Sequence, residues 1–312
     1  MTIKVHVTGS SGFIGRNIMN SLDRHILSGS SRKKNHINKF SHYVVDWSSS
    51  NSSSYKFDDN IDVMINCCGL AHTPNKKILE KQNFIINSDS ALNALRCAHF
   101  NGAKKFIQIS SIAVYDSDQE KTYIDENSIT KPNTFYGQSK LEAEKRLQVE
   151  SLKLGIELVI IRPALVVGSP LRGNLKSLTR YLSYGLPFFY FNKNNIRSLI
   201  TINSLISLIN LVILDKKKKS LILIASNSNT ISTYEIAKNI SLGLKRNNMF
   251  IKLPNFLYVL LKKSNFNSLI HKIYGDLKIS SKKISNDYNW DPKDDIKLTL
   301  QRSAETFIKN YE

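Results

Sequence analysis

The feature that most constrains this chain is a strand, a glycine-rich turn and a helix at its start. Residues 3–8 alternate β-branched and polar side chains, as a strand does, and residues 16–22 have a helical pattern. Between them lies Gly9-Ser10-Ser11-Gly12-Phe13-Ile14-Gly15. Glycines in this context let the backbone approach a pyrophosphate at a helix N-terminus. The G-x-x-G-x-x-G spacing would also suit a plain glycine-rich β–α turn, so the turn alone leaves both interpretations open.

The alternation of strands and helices continues through the first half of the chain. Further strands are predicted at 25–31, 42–46, 61–68, 105–110 and 157–161, and helices at 78–100 and 133–154. Continuous apolar strands that alternate with helices are typical of a parallel sheet covered on both faces. The sequence therefore predicts an α/β fold, a doubly wound parallel Rossmann sheet.

The alternation breaks after Pro163. The sequence predicts a loop at 165–173, a helix at 174–184, an extended piece at 196–202, a helix at 205–214, a strand at 220–225 and mostly helix thereafter. We assign 1–165, together with about 196–225, to the Rossmann domain. Residues 166–195 and 226–312 form a smaller, mostly helical substrate-binding lobe on the C-terminal side, at the sheet edge where such folds bind ligands.

The end of the second predicted strand bears on the choice of cofactor. A site for NAD usually carries an Asp or Glu about 20 residues after the glycine-rich turn, where it binds the ribose hydroxyls. Here the strand ends in Ser30-Ser31-Arg32-Lys33-Lys34, which offers no carboxylate, and Arg32 could bind a 2′-phosphate. Asp46, at the end of the third predicted strand, is placed to contact an adenine ring. The sequence therefore favours NADP over NAD.

Tyr136 and Lys140 lie four residues apart in the predicted helix 133–154, so their side chains project from the same face. A lysine ammonium near a phenol favours the phenolate, which would make Tyr136 a general acid/base for a hydroxyl or carbonyl group. Tyr-x-x-x-Lys alone is a weak signal, because an ordinary solvated helix can also carry it.

The net charge of +19 would suit nucleic acid or an anionic membrane surface as a partner. The lysines are spread over the whole chain, however, and no aromatic-interleaved basic groove or helix-turn-helix pattern accompanies them. We therefore expect a solvated basic surface and no nucleic-acid partner.

Cysteine usage and the absence of long apolar runs bear on the compartment. Cys67, Cys68 and Cys97 have no metal-ligand spacing, so no metal site is expected. The start of the sequence has no signal-peptide pattern, and no apolar run reaches the roughly 18 to 20 residues that span a bilayer. These observations predict a cytoplasmic protein with no integral membrane segment.

Several segments together resemble one family. Turn 9–15, Ile109-Ser110-Ser111-Ile112-Ala113-Val114-Tyr115, Tyr136-Gly137-Gln138-Ser139-Lys140 and Ile161-Arg162-Pro163-Ala164 are similar, in order and spacing, to the extended short-chain dehydrogenase/reductases. Within these, the chain resembles the NAD-dependent epimerase/dehydratase group that acts on nucleotide sugars. Matches at Gly173-Asn174-Leu175, Ile196-Arg197-Ser198-Leu199-Ile200 and Asn289-Trp290-Asp291-Pro292 extend the resemblance over essentially the whole chain.

The resemblance implies roles for individual residues. Tyr136 would be the acid/base, Lys140 would bind the nicotinamide ribose, and Ser111 would hydrogen-bond the sugar oxygen. Asn174 and Arg197 would bind the substrate's diphosphate, which makes the second lobe a nucleotide-sugar-binding lobe. The cofactor contacts would be Gly9, Ser11, Gly12, Phe13, Ile14, Gly15, Arg32, Asp46, Trp47, Leu70, Ala71, Asn87 and Pro163, in addition to Tyr136 and Lys140.

The implied function is NAD(P)-dependent oxidoreduction at C4 of a nucleotide-diphosphate hexose, with a UDP-hexose or UDP-N-acetylhexosamine as substrate, for bacterial surface polysaccharide. A 4-epimerase and a 4-keto-sugar reductase would use the same residues, so the motifs do not separate them. Dehydratases of the family carry an Asp-Glu pair where this chain has Ile112-Ala113, so 5,6-dehydration is not expected.

A rival from another class is a Rossmann protein that binds NADP as a sensor or scaffold without turnover. Such proteins typically lose the tyrosine–lysine pair that this chain keeps. The resemblance also implies a homodimer, in which the long helices predicted at 78–100 and 133–154 pair across a two-fold axis.

Overall fold

The computed structural model describes residues 2–33, 40–69, 85–115, 123–217, 220–264, 270, 273–292 and 294–309. The backbone forms two compact units. The first unit comprises Met1–Asp116, Ser128–Pro163 and Ile206–Ile224, and the second comprises Ser117–Asn127, Ala164–Leu205 and Ala225–Glu312. The sequence-based division differs at residues 117–127, 164–165, 196–205 and 225, which the structure places in the second unit.

A seven-stranded sheet forms the centre of the first unit. In the spatial order given next, each of the first six strands runs parallel to its neighbours among them. In spatial order the strands are β3 (Ser41–Val44), β2 (Ile26–Ser31), β1 (Lys4–Thr8), β4 (Val63–Asn66), β5 (Lys105–Ile109), β6 (Glu157–Pro163) and β10 (Leu221–Ala225). The prediction of a doubly wound parallel Rossmann sheet is confirmed. Because the strand order reverses between β1 and β4, the carboxyl ends of these strands mark the edge where such folds bind ligands.

The helices of the first unit follow the predicted pattern closely. They are α1 (Phe13–Ser21), α2 (Ser90–Phe100) and α3 (Phe135–Leu154), and the later part of α5 (Ile202–Leu214) also belongs to this unit. Residues 78–84 of the predicted helix 78–100 lie outside the described residues, and a π-helical turn, Ile85–Asp89, precedes α2. Thr134 caps α3 by accepting the Gly137 N–H at 3.1 Å, and α3 ends at Gly155, whose φ is 63°.

In the residues that the structure describes, the second unit contains short strands and five further complete helices. The strands β7 (Leu165–Val167), β9 (Arg197–Thr201) and β11 (Thr230–Ile231) form one sheet in the order β11-β9-β7, and β8 (Phe188–Tyr190) pairs with β12 (Phe250–Lys252). The helices that the structure describes here are α4 (Gly173–Ser183), α6 (Thr233–Gly243), α7 (Asn255–Lys262), α8 (Lys282–Tyr288) and α9 (Ile296–Lys309).

The predicted loop at 165–173 is wrong over its first three residues. Leu165–Val167 is a strand that pairs in parallel with Leu199–Thr201 of β9. The partner strand lies more than thirty residues away, so this pairing leaves no local signal beyond a Leu-Val-Val run. Strands β8 and β12 were missed for the same reason.

The apolar core fixes the helix that carries the tyrosine–lysine pair. Leu147 of α3 is fully buried in a cluster with Met64 of β4, Phe106 of β5, Leu95 of α2 and Leu158 of β6. Burying side chains of this size against a sheet holds α3 at a fixed register across β4 to β6. Within the described residues, no helix is both long enough and apolar enough to cross a membrane.

Candidate active site

The glycine-rich turn places the backbone where side chains would not fit. Gly9 has a φ of +64°, and a Cβ added to Gly15 would lie 2.3 Å from the Gly9 carbonyl oxygen. The Gly12 N–H donates to the same Gly9 oxygen at 2.9 Å. A Cβ on Gly9 would also lie 3.0 Å from the backbone of Cys67 after β4. The turn is therefore folded tightly against the carboxyl end of β4.

Helix α1 starts from this turn with its N-terminus open to a ligand. Its N-cap residue, Gly12, has no side chain with which to satisfy the first N–H groups. Ser11 is exposed beside it, and Phe13 and Ile14 are half-buried in the first helical turn. A helix N-terminus preceded by a side-chain-free turn suits a pyrophosphate, because the N–H groups and the helix dipole both favour an anion.

A row of polar side chains crosses the carboxyl ends of the central strands. The Thr8 hydroxyl donates to Asn66 Oδ1, and Asn66 Nδ2 donates to Gln108 Oε1 at 2.8 Å. Gln108 Nε2 then donates to the Ile109 carbonyl oxygen at 3.0 Å. These bonds join β1, β4 and β5 through buried groups. They hold the ends of the three strands in register at the edge where a ligand would bind.

Tyr136 and Lys140 lie one turn apart on α3, as predicted. Lys140 is buried, and its Nζ lies 6.0 Å from the centroid of the Tyr136 ring. The same ammonium donates to the carbonyl oxygen of Ile109 at the end of β5, at 3.1 Å. The tyrosine ring is only half-buried. The pair therefore combines a fixed cation with a phenol that solvent or a substrate can reach.

Asn87 is a third polar residue beside Tyr136 and Lys140. A Cβ added to Gly69 would lie 2.8 Å from Asn87 Oδ1 and 2.9 Å from Lys140 Nζ, so both polar groups converge on that residue. Asn87 Nδ2 donates to Ser139 Oγ at 2.9 Å, and Ser139 Oγ donates to the Tyr136 carbonyl oxygen at 2.8 Å. The asparagine is thus bonded to the turn of α3 that carries the tyrosine.

Ser111 lies on a short turn that α3 contacts directly. It caps the 3₁₀ turn Ile112–Val114, and its Oγ accepts the Ala113 N–H at 3.1 Å. A Cβ on Gly137 would lie 2.1 Å from the Ala113 carbonyl oxygen. Only glycine allows this approach, so the residue after Tyr136 touches the turn that Ser111 begins. The structure thereby brings Ser111, Tyr136, Lys140 and Asn87 to one region of the first unit.

A buried ion pair, which was not predicted from the sequence, supports this region. Glu144, one turn after Lys140 on α3, accepts two bonds from Arg162 Nε, at 3.0 and 3.2 Å, and another from Nη2. The Ser110 hydroxyl also donates to Glu144, and Arg162 Nη1 donates to the Tyr115 hydroxyl. Burial disfavours the charged guanidinium, but the bonds and charge of Glu144 outweigh it and raise the pKa of Arg162.

This network surrounds Ser111 in the sequence. Ser110 precedes it, and Tyr115 closes the turn that follows it. The sequence does indicate that each residue lies near the predicted site. Glu144 continues the i, i+4 series of Tyr136 and Lys140, and Arg162 directly precedes Pro163 at the end of β6. The pairing of the two could not be read from spacing, because it joins a helix to a strand.

The adenosine end predicted from the sequence is much more open. Arg32 and Asp46 are both exposed, after β2 and β3. Asp46 Oδ1 accepts the Ser48 hydroxyl at 2.7 Å and the Ser48 N–H at 3.0 Å. These bonds, with the charge of Arg32 as a lesser cause, lower the pKa of Asp46. Trp47, in contrast to Asp46, has a buried side chain, and its indole N–H donates to Ser30 Oγ at 3.2 Å.

The remaining predicted residues lie elsewhere. Asn174 is exposed in the first turn of α4, and Arg197 begins β9, both in the second unit. Arg197 Nη1 donates to the Gly275 carbonyl oxygen at 3.1 Å, and burial lowers the pKa of its guanidinium while the charge of Asp276 opposes the change. Pro163 is buried at the end of β6. Leu70 and Ala71 lie outside the described residues.

The two adjacent thiols at the end of β4 are poor nucleophiles. Burial raises the pKa of Cys68 to about 11, and burial together with the neighbouring Cys68 raises that of Cys67 further. Both therefore stay protonated near neutral pH. Among the described residues, no group of three or more His, Cys, Asp or Glu side chains could hold a metal ion.

Comparison with known proteins decides the family. The model of the NAD dependent epimerase/dehydratase family matches residues 5–223, which is most of the chain and includes the glycine-rich turn, Ser111, Tyr136 and Lys140. The chain belongs to this family. It is therefore an enzyme of the extended short-chain dehydrogenase/reductase type, as the resemblance implied.

Individual relatives point in the same direction. UDP-glucose 4-epimerase of Vibrio cholerae is 28% identical over 325 aligned positions, covering 99% of this chain and 97% of the relative. A 4-epimerase of Escherichia coli O157:H7 named for N-acetyl-α-D-glucosaminyl-diphospho-ditrans,octacis-undecaprenol is 31% identical over 126 residues, 40% of this chain and 38% of the relative. The structure of the UDP-Glc/GlcNAc 4-epimerase from Campylobacter jejuni superposes with a TM-score of 0.80 at 18% identity, covering 99% of each chain.

Proposed function

We propose that this member of the family is a 4-epimerase of a hexose carried on a diphosphate, with a nicotinamide cofactor. The observation that carries the proposal is the placement of Tyr136, a buried Lys140 and the Ser111 turn together at the carboxyl end of β5. A sensor or scaffold would have no need of this arrangement. The 4-epimerase names of the relatives support the choice of reaction.

The residues present fit the cofactor. The turn from Gly9 to Gly15 would hold the pyrophosphate. Its glycines allow this tight turn, because Cβ atoms at Gly9 and Gly15 would collide with neighbouring backbone atoms. Lys140 and Asn87, which converge at Gly69, would hold the nicotinamide ribose. Arg32 and Asp46 would lie at the adenosine end. A bound nicotinamide supplies reversible hydride transfer at C4.

The chain's own residues manage the proton and the orientation of the sugar. Tyr136 would accept the proton of the C4 hydroxyl as the sugar is oxidised, and Lys140, whose Nζ lies 6.0 Å from the ring centroid, is the cation beside it. Ser111 would hydrogen-bond the same oxygen and keep it near the phenol. Tyr136 would return the proton to the same oxygen when the 4-keto sugar, now presenting its opposite face, is reduced. The net result is inversion at C4.

Dehydration is disfavoured by the surroundings of Ser111. That reaction needs an acid and a base besides the tyrosine, and the residues after Ser111 are Ile112 and Ala113. Glu144 is bonded to Ser110, but Arg162 binds both of its carboxyl oxygens. These oxygens are therefore engaged within the protein and do not face a substrate.

Turnover with defined sugars tests the proposal. Purified protein is incubated with UDP-glucose or UDP-N-acetylglucosamine and a catalytic amount of NAD or NADP, and the products are identified by proton NMR. We expect the C4 epimer to accumulate over many turnovers with no net change in reduced cofactor. A reductase would instead consume NADPH only when given a 4-keto sugar, and a sensor would bind cofactor and convert neither substrate.

The same experiment addresses the carrier of the sugar. The E. coli relative is named for a sugar on undecaprenyl diphosphate, so we propose this as the second candidate substrate. N-acetylglucosamine on UDP and on undecaprenyl diphosphate differ only beyond the diphosphate. The higher kcat/KM identifies the carrier, and either result is compatible with a contribution to surface polysaccharide.

A further inference from the structure

Helix α7 of the second unit presents its apolar face outward. Phe256, Val259 and Leu260 are 68%, 53% and 63% exposed. They follow the i, i+3, i+4 spacing that places side chains on one face of a helix. Tyr258 lies on the other side, where its ring centroid is 5.2 Å from that of Phe191. A surface helix normally turns its apolar stripe towards the core, so three large exposed side chains in one row indicate a surface that contacts something else.

The chain around α7 is basic without interruption. Between Glu235 and Asp276 the sequence contains seven basic residues and no acidic one. They are Lys238, Lys245, Arg246, Lys252, Lys262, Lys263 and Lys272. Lys252, on β12 before the helix, and Lys263, directly after it, are exposed. The exposed apolar row is therefore bounded along the chain by cations at both ends.

An anionic bilayer is the occupant that fits both properties. A helix with an apolar face and flanking lysines lies in the interface plane, with its apolar side chains below the headgroups and its cations among anionic lipids. We propose that α7, through Phe256, Val259 and Leu260 with Lys252 and Lys263, binds the surface of an anionic membrane. This interaction goes beyond the proposed reaction and does not depend on turnover.

Two other occupants fit less well. A second copy of the chain would bring the same patch against itself across a two-fold axis, placing like charges opposite each other. Nucleic acid would pair with the lysines but would leave the aliphatic Val259 and Leu260 without a role, since non-specific binding is carried by phosphate contacts and base stacking. The test below distinguishes a second copy by light scattering, and binding to neither vesicles nor a second copy would overturn the proposal.

Co-sedimentation of the full chain with lipid vesicles tests the proposal. We expect binding to vesicles of equal parts phosphatidylglycerol and phosphatidylcholine, weak binding to pure phosphatidylcholine, and release at about 0.5 M NaCl because salt screens the lysines. Phe256→Ser/Leu260→Ser should lower the partition coefficient at least about tenfold, by removing two inserted side chains. The matched control is Ile129→Ser/Leu152→Ser, which removes side chains that are 76% and 80% exposed in the first unit. The control should bind as the wild type does.

Charge is tested separately. Lys252→Glu/Lys263→Glu should weaken binding to the anionic vesicles at least about tenfold, whereas Lys56→Glu/Lys104→Glu, which reverses two exposed lysines of the first unit, should have a much smaller effect. Equal losses in both double variants would mean that overall charge, and not α7, attracts the membrane. That result would overturn the proposal.

A fluorescence probe covers the case of a variant that folds poorly. The only two tryptophans of the sequence, Trp47 and Trp290, are buried, so Leu260→Trp adds a distinct exposed emitter. Its emission should shift to the blue on addition of anionic vesicles, and that of Leu152→Trp should not. The proposal is overturned if Leu260→Trp shows no shift, if the wild type fails to bind vesicles, or if Phe256→Ser/Leu260→Ser instead dissociates an oligomer seen by light scattering.

Discussion

The two ends of the candidate cofactor site are built in opposite ways. Around Tyr136 and Lys140 the supporting groups are buried, and Glu144 accepts bonds from both Ser110 and Arg162. At the adenosine end, Arg32 and Asp46 are exposed, and Arg32 acts on Asp46 through its charge. Proton transfer requires reacting groups held within a fraction of an ångström, whereas recognition of a 2′-phosphate can be made by a side chain at the surface. The proton-transfer end should therefore tolerate substitution poorly and the adenosine end well.

The largest effect is expected at the phenol. Tyr136→Phe keeps the ring and removes the proton carrier, so kcat should fall by about a hundred- to ten-thousand-fold while the Kd for cofactor changes little. Steady-state kinetics and a fluorescence titration of the cofactor measure the two quantities. Tyr184→Phe, at an exposed tyrosine of the second unit, is the control. A Phe variant with activity within a factor of two of the wild type would exclude Tyr136 as the acid/base.

The buried ion pair should contribute next. Glu144→Gln leaves the Arg162 guanidinium buried without a counter-charge, which should cost about 3–5 kcal/mol in the free energy of unfolding, measured by urea titration. The control is Glu150→Gln on the same helix, which breaks a pair with the more exposed Arg96 and should cost less than about 1 kcal/mol. Equal losses of unfolding free energy in the two variants would show that burial does not increase the contribution of the Glu144–Arg162 pair to stability.

A double variant separates the effect of the unpaired Arg162 charge on stability from the effect of the ion pair on activity. Glu144→Gln/Arg162→Met removes the unpaired cation, so it should recover part of the stability lost in Glu144→Gln. It should not recover activity, because Ser110 and Tyr115 lose their charged partners on either side of Ser111. Full recovery of kcat would argue that the ion pair has no part in positioning that turn.

The adenosine end also has a buried support, His6, beneath its exposed residues. The ring nitrogens of His6 bond the hydroxyls of Ser28 and Ser30 on β2, each at 2.9 Å. Burial, with the charge of His42 as a second cause, lowers the pKa of His6 to about 3. The unfolded chain takes up this proton below about pH 6.5, whereas the folded protein does so only near pH 3. The contribution of neutral, buried His6 to the free energy of unfolding should therefore be fully present above about pH 6.5 and should fall as the pH drops towards 3.

The expected slope from His6 is about 1.4 kcal/mol per pH unit within this range. Urea titrations at a series of pH values measure it for the wild type and for His6→Gln, in which the slope should be smaller by that amount. His99→Gln, at an exposed histidine of α2, is the control. A His6→Gln variant with the wild-type slope would contradict the assignment.

The smallest effect is expected at Arg32. A charge-assisted hydrogen bond to a 2′-phosphate contributes roughly 1.5–3 kcal/mol, but Asp46 competes for the same cation. We expect the wild type to bind NADP more tightly than NAD, and Arg32→Ala to reduce that ratio of affinities by about tenfold or less. Titration of both cofactors measures this, with Lys56→Ala as an exposed control. Equal affinities of the wild type for the two cofactors would show that Arg32 does not select between them.

The sequence predicted those parts of the molecule whose signals are local. The strand, turn and helix from β1 to α1 and the Tyr136–Lys140 face of α3 each lie within a few consecutive residues, and the structure has them as expected. The pairing of Glu144 with Arg162 depends on how α3 packs on β6, which no short pattern records. Trp47 illustrates the same limit: the resemblance implied that it contacts the cofactor, but did not indicate that its indole is buried against Ser30.

The strand order has a consequence for how the protein becomes active during synthesis. Val5 pairs with Val63 and Ile65 pairs with Ile107, so the edge that carries the site is assembled from segments far apart in the chain. Contacts of this kind close late and slowly. Helix α3 leaves the ribosome before Arg162, which follows Glu144 by 18 residues. Until β6 is added, the carboxylate of Glu144 has no buried cation to meet, so a nascent chain that already contains Tyr136 and Lys140 should still lack the ion pair that surrounds Ser111.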